Sequence, residues 1–203
     1  DLKAPIYIDF GPTSLSATPW NNITSHQESS TTSWIKDVEN NYTNIGVRVL
    51  DGFTATHAGV GSEPASPVTV DGVEFPLTAW KDGLLVKGEK NQGDVGPGRI
   101  EISQLDVARK YNFTILAIRF NGSKDARISS YKLVGKTESA VKEVKTGIKD
   151  AASFAAANFE EYIAKFENVE PDSEGKVIVE VKGLDTGSAA EGHINALCIS
   201  LAK

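Results

Sequence analysis

Alternation with a period of two recurs along this chain from its first residues to its last, and that pattern commits it to β-strands. Ile6, Ile8 and Phe10 alternate with Tyr7 and Asp9, and Ile45, Val47 and Val49 alternate with Gly46 and Arg48. Such runs put apolar side chains on one face of a pleated ribbon. Val68-Thr-Val70 and Val73-Glu-Phe75 flank Asp71-Gly72, a pair suited to the positive φ angles of a type I′ turn, which predicts a tight hairpin. Tyr111 to Phe120 and Lys176 to Lys182 are rich in β-formers, the second following the turn Pro171 to Gly175. Ile194 to Leu201 is apolar on both faces, as a central strand covered on both sides requires. Many short strands with turn signals between them predict a sandwich.

Thr137 to Phe166 departs from this pattern. Its alanines and the spacing Phe159, Tyr162, Ile163, Phe166 fit a helix. From Glu160 onward the same residues also fit a strand, with Tyr162, Ala164 and Phe166 on one face. Local reading leaves both open. The stretches Thr56 to Pro67 and Gly88 to Gly98 read as long surface loops, which in compact folds are often functional. No repeat or linker divides the chain, so residues 1–203 are expected to form one domain.

The charge balance removes several functions. A net charge of −6 leaves no phosphate-neutralising surface, which sets nucleic acid and anionic membranes aside as partners. The longest apolar run, Phe113 to Phe120, is broken by Arg119 and falls far short of the roughly 20 residues of a membrane span. The chain begins at Asp1 without methionine, as expected when a signal peptide or longer precursor is removed on export. Cys198 is the sole cysteine and reads as a buried, inert thiol in an apolar strand. Sequons at Asn22, Asn41, Asn112 and Asn121 read as accidents of composition, Asn112 standing at the start of a strand.

Several motifs, taken in order, resemble those of galactose-binding-like β-sandwich modules. Ile6-Tyr-Ile-Asp-Phe-Gly11 with Trp20-Asn-Asn-Ile23 is similar to their opening. Ile100 to Tyr111, Ile118-Arg119, Tyr131 to Gly135, Phe166 to Gly175 and Gly192-His-Ile-Asn-Ala196 follow in the same order. The resemblance implies an all-β jelly-roll sandwich with at most short helices, and tips the segment after Asn158 toward strand. It also implies a carbohydrate-binding or accessory module of a secreted bacterial polysaccharide-processing protein. No binding residue carries over from it position by position.

The residues themselves offer little for catalysis. There is no Gly-x-Ser-x-Gly elbow, no His-Glu-x-x-His pair and no phosphate-binding loop. His26, His57 and His193 with one cysteine make a zinc site a poor expectation. Paired carboxylates for glycoside cleavage leave no sequence signature, so a small glycan-acting hydrolase stays open. A surface adhesion domain with a protein partner also stays open. No cofactor is expected beyond a structural calcium in an oxygen-rich loop at Asp82 or Asp94.

Aromatic residues remain as the means of holding a glycan, because pyranose C–H faces pack on indole and phenol rings. Trp80 precedes the turn Lys81-Asp82-Gly83 and is expected to project from a loop. Trp34 lies in the polar stretch Ser25 to Asn44, and His57 opens the Gly-rich loop. These three are the candidate ligand-binding residues, with Trp80 leading. Trp20, after a proline, reads as a structural plug.

Overall fold

The alternating runs become two facing sheets. The computed structural model describes residues 2–87, 96–120, 127–184 and 191–203. The first sheet runs β15 (Ile163–Val169), β10 (Tyr111–Leu116), β18 (Ala196–Leu201), β1 (Ile6–Phe10) and β2 (Trp20–Ile23), antiparallel except between the last two. The second runs β13 (Lys142–Lys145), β12 (Ile128–Val134), β16 (Val177–Gly183), β9 (Gly98–Ser103), β4 (Gly46–Asp51) and β3 (Thr31–Thr32), antiparallel throughout. The chain crosses from sheet to sheet at β9 to β10 and again at β15 to β16, as in a jelly roll. Smaller pieces flank them: β17 (Glu191–Ile194), β8 (Gly83–Lys87) and β5 (Ala55–His57) form one sheet, and β11 (Arg119–Phe120) pairs with β14 (Gly147–Ile148). The fold is all-β, with helices α1 (Leu77–Trp80) and α2 (Ala151–Ala155) of at most five residues.

Between the sheets lies a shared apolar core. Ile6, Ile8 and Phe10 of β1 and Phe113 and Ile115 of β10 belong to the same buried cluster as Ile100, Leu133 and Val179 of the facing sheet. Burying each such side chain is worth about 1.5–3 kcal/mol, so the alternation is the main stabilising feature of the chain. Tyr111 closes one corner: its hydroxyl accepts the Asp106 N–H at 2.9 Å.

A second layer covers the outer face of the first sheet. The hairpin β6 (Val68–Val70) and β7 (Val73–Phe75) packs there with Trp80, Phe154 and Tyr162. Asp71 and Gly72 take φ of 53° and 75°, the pair of positive angles a type I′ turn demands. Strand β18 is therefore covered twice, Leu197 and Ile199 facing the sandwich core and Ala196 and Cys198 the second layer. Its two-faced apolarity meant what it predicted.

The ambiguous stretch resolves into both of its readings in turn. Helix α2 starts at Asp150, whose carboxylate accepts the Ser153 N–H at 2.7 Å, and ends within two turns. A 3₁₀ turn then spans Phe159–Tyr162, so these two rings fall on one side by i,i+3 spacing and join the second layer. Strand β15 begins only at Ile163. The strand expected over Glu160 to Glu167 thus starts three residues later and runs on to Val169, because Phe159 and Tyr162 are drawn outward while Phe166 enters the sandwich core.

Candidate functional site

Between β3 and β4 the chain makes a small hairpin held by a bridge between Lys36 and Tyr42. Asp37 shapes its turn: one carboxylate oxygen accepts the N–H groups of Glu39 at 3.0 Å and Asn41 at 2.9 Å. Asn21, from the Trp-Asn-Asn motif, pins it to the sheet. Its amide donates to the carbonyls of Tyr7 at 2.9 Å and Lys36 at 2.8 Å and accepts the Lys36 N–H at 2.8 Å. Val38 N–H adds a bond to the Pro5 carbonyl at 2.8 Å.

With Ile35, Asp37, Thr43 and Ile45 buried by these ties, the rings of the hairpin are left outside. Trp34 is 67% exposed and Tyr42 71%. The Lys36 ammonium stands 4.7 Å from the centre of the Tyr42 ring and donates to Asn40 Oδ1 at 3.0 Å. Trp34 takes φ of 62°, a left-handed backbone that a bulky residue avoids and that tends to cluster at functional sites.

Pro5 and Tyr7, to which the hairpin is tied through Val38 and Asn21, also line a groove. Where the second layer leaves the first sheet uncovered, two adjoining depressions of about 470 and 230 Å³ share Pro5, Asn112, Glu167 and Ser200 as lining residues. The smaller is floored by Tyr7, Thr114 and Cys198 and walled by Asp71, whose carboxylate pairs with Lys165. Burial pushes the Cys198 thiol far above the ordinary range, so it is an inert floor residue as expected. The rest of the lining mixes apolar side chains such as Val73, Phe113 and Phe166 with Asn112, Ser200 and Glu167, polar groups of the kind that pair with sugar hydroxyls.

The three residues singled out from sequence are not brought together. Trp34 is exposed as expected. Trp80 is not: it is fully buried, stacked on Phe154 at 4.9 Å, with its indole N–H donating to the Ser66 carbonyl at 3.2 Å. The turn after it points inward because Asp82 accepts the N–H groups of Thr13 at 2.7 Å and Ser14 at 3.1 Å, and Asn195 donates to the carbonyls of Trp80 and Asp82. The expectation that Trp80 offers a stacking face is corrected by this packing. His57 is buried too, its ring 5.1 Å from that of His193 and its Nδ1 3.3 Å from an Arg119 nitrogen. Burial first, then the His193 and Arg119 charges, hold it neutral and well below the ordinary histidine range. Trp20 is a half-buried plug, 5.1 Å from Tyr7 and 5.7 Å from Phe75. Tyr42 went unnoticed in the sequence, although Thr43 and Ile45 alternate behind it.

Of the two loops named for calcium, Asp94 lies outside the described residues. Asp82 and Asp9 each keep one buried carboxylate oxygen without a partner. Two such oxygens fall short of the roughly six to eight that calcium takes. Among the described residues no group of three or more His, Cys, Asp or Glu side chains is placed to hold a metal ion.

No family model and no curated protein matches the chain. Among solved structures it is similar to TmCBM61 in complex with β-1,4-galactotriose, at 14% identity and a TM-score of 0.33 over 60% of this chain and 71% of that one. The CBM36-1 domain of a multidomain xylanase from the hindgut metagenome of Trinervitermes trinervoides is 10% identical, with a TM-score of 0.35 over 73% and 98% of the two chains. The plant receptor-like kinase ANX2 is 8% identical at a TM-score of 0.49; 89% of this chain matches, spanning 55% of that one. Likeness this loose transfers neither a ligand nor a residue role. By its own strands and core the chain is an all-β sandwich. What distinguishes it is an exposed aromatic hairpin tied to Pro5 and Tyr7, which line a groove on the first sheet.

Proposed function

We propose that this chain is a non-catalytic carbohydrate-binding module of an exported bacterial glycan-processing protein. Trp34 and Tyr42 supply the stacking face, and the groove beside them supplies partners for hydroxyls. The observation that carries this reading is the pair of rings themselves. Both stand more than two-thirds exposed on one short hairpin whose inward residues are all buried. Folding gains little from rings so placed, whereas a pyranose C–H face gains a desolvated aromatic surface. Trp34 is held there at the cost of a left-handed backbone angle, which adds weight. Asn40 and Asn41 at the hairpin tip, and Asn112, Ser200 and Glu167 in the groove, are donors and acceptors of the kind sugar hydroxyls need.

A glycan array on the chain, followed by titration calorimetry on the best hit, tests this. Trp34→Ala and Tyr42→Ala should each weaken binding at least tenfold while the melting temperature stays within a degree or two. An array without hits, or a hit whose affinity ignores both substitutions, would sink the reading.

A further inference from the structure

Nine buried side-chain polar atoms lack a hydrogen-bond partner among the described residues, and seven of them meet in one place. They are His57 Nε2, Arg119 Nε, Arg127 Nε and Nη1, Thr146 Oγ1, and both ring nitrogens of His193. The spot is assembled from β5, β11 and β17, and its frame is firmly bonded. Arg119 N–H donates to the Thr146 carbonyl at 2.6 Å, Thr146 N–H to the Arg127 carbonyl at 2.9 Å, and His193 N–H to Ser129 Oγ at 2.8 Å. The Tyr131 hydroxyl donates to the His193 carbonyl.

The unmade bonds are mostly those of donors. Arg119 Nη1 reaches the Ala58 carbonyl at 3.0 Å and His57 Nδ1 at 3.3 Å, so His57 presents its proton on Nε2. Arg127, 6% exposed, touches a single carboxylate among the described residues, Glu191, at 3.4 Å; the same oxygen lies 3.5 Å from His193 Nε2. Glu63 adds its charge from the loop over Arg119, but its two oxygens take the N–H groups of Val60 and Gly61. Among the described residues, Glu191 thus serves one guanidinium group and a histidine, and acts on Arg119 only through its charge. Buried guanidinium N–H groups without acceptors carry a desolvation penalty that oxygens brought to them would relieve.

We propose that Arg119 and Arg127 form a binding site for an oxyanion: the carboxylate or sulfate group of an acidic sugar, or a free anion of the same chemistry. A guanidinium fork matches such groups with two parallel N–H bonds. Arg119, only partly buried, is the side from which the ligand enters. Burial first, then the neighbouring Arg127 charge, depress Arg119 against the opposing pull of Glu191 and Glu63. The site shares no residue with the aromatic hairpin and does not depend on it.

Calorimetry and thermal melts with sodium galacturonate, sodium sulfate and neutral galactose, at equal ionic strength, test the proposal. Saturable binding and stabilisation by galacturonate, with none by galactose, are expected, and Arg119→Gln should weaken them at least tenfold. Arg119→Lys, which keeps the charge and loses the fork, should also weaken them severalfold. Arg127→Gln should do as much as Arg119→Gln; if it fails to fold, Arg119→Gln alone decides. Binding of sulfate without galacturonate would keep the site and assign it to a free anion. No saturable binding of either anion, or binding that survives Arg119→Gln, overturns it. Trp34→Ala should leave the anion response intact, so failure here and failure of the glycan reading are told apart.

Discussion

Trp80 and Trp34 are the same residue in two opposite settings. Trp80 is locked in the second layer, stacked on Phe154, with its turn pulled inward by Asp82 and Asn195. Trp34 stands on a hairpin whose buried side is completed by Ile35, Asp37, Thr43 and Ile45, leaving the ring 67% exposed. Each is flanked by polar residues and turn formers, so their surroundings in sequence are alike. The difference lies in what comes back to meet them. Around Trp80, chain from residues 13–14, 66, 154 and 195 converges. No such return reaches Trp34. Trp34 is left at the surface because few described residues pack around it, and that exposure is what the proposed glycan face rests on.

Substitutions can break that contrast or sharpen it. Trp80→Ala should cost about 3–5 kcal/mol, the usual toll of deleting a buried aromatic, measured by urea denaturation. A loss near zero would put Trp80 back on the surface and collapse the comparison.

The anchoring of the second layer has its own pH signature. Burial raises Asp9 to about 7, with the Asp82 charge adding to it against the Ser16 hydrogen bonds. The folded chain therefore keeps a proton that an unfolded Asp, with a pKa of 3.8, has released. Its contribution to stability is full below about pH 4 and is lost as pH rises through about 7. Asp9→Asn removes that loss. The stability of the variant relative to the parent should climb by on the order of 3 kcal/mol between about pH 4.5 and pH 8. A difference flat in pH would mean that Asp9 is already ionised in the fold.

Trp20 occupies the middle of the scale. Half-buried between Tyr7 and Phe75, it should cost about 1–2 kcal/mol on change to alanine, less than a full plug would. A cost equal to that of Trp80→Ala would erase the distinction between layer and rim. The smallest effect belongs to Trp34. Trp34→Ala should shift stability by no more than about 0.5 kcal/mol. Trp34→Gly, freed of the left-handed penalty, should be more stable than the alanine variant by roughly 0.5–1 kcal/mol. Both should lose glycan binding, and thermal melts beside calorimetry would show stability and binding moving independently.

What the amino-acid sequence determined by itself is the local geometry. Period-two runs specified strands, Asp71-Gly72 specified its turn, and the two-faced apolarity of Ile194 to Leu201 specified a central strand. These follow from nearest neighbours, since φ/ψ preference and side-chain alternation are properties of a few adjacent residues. The stretch from Asp150 to Phe166 marks the limit of that legibility. Its helical and strand signals were both real, and contact with the second layer and with β10 decided where one gave way to the other. Burial was decided only by tertiary structure. Trp80 and His57 are sealed by residues distant in the chain: Asp82 reaches Thr13 and Ser14 across nearly seventy positions, and His57 meets His193. The same holds for the candidate site. Trp34 was legible as an exposed ring in a polar stretch, but its companion Tyr42 and the groove beside it exist only once β1, β10, β15 and β18 lie side by side. Exposure is a sum over contacts from the whole chain, and no window of neighbouring residues contains that sum.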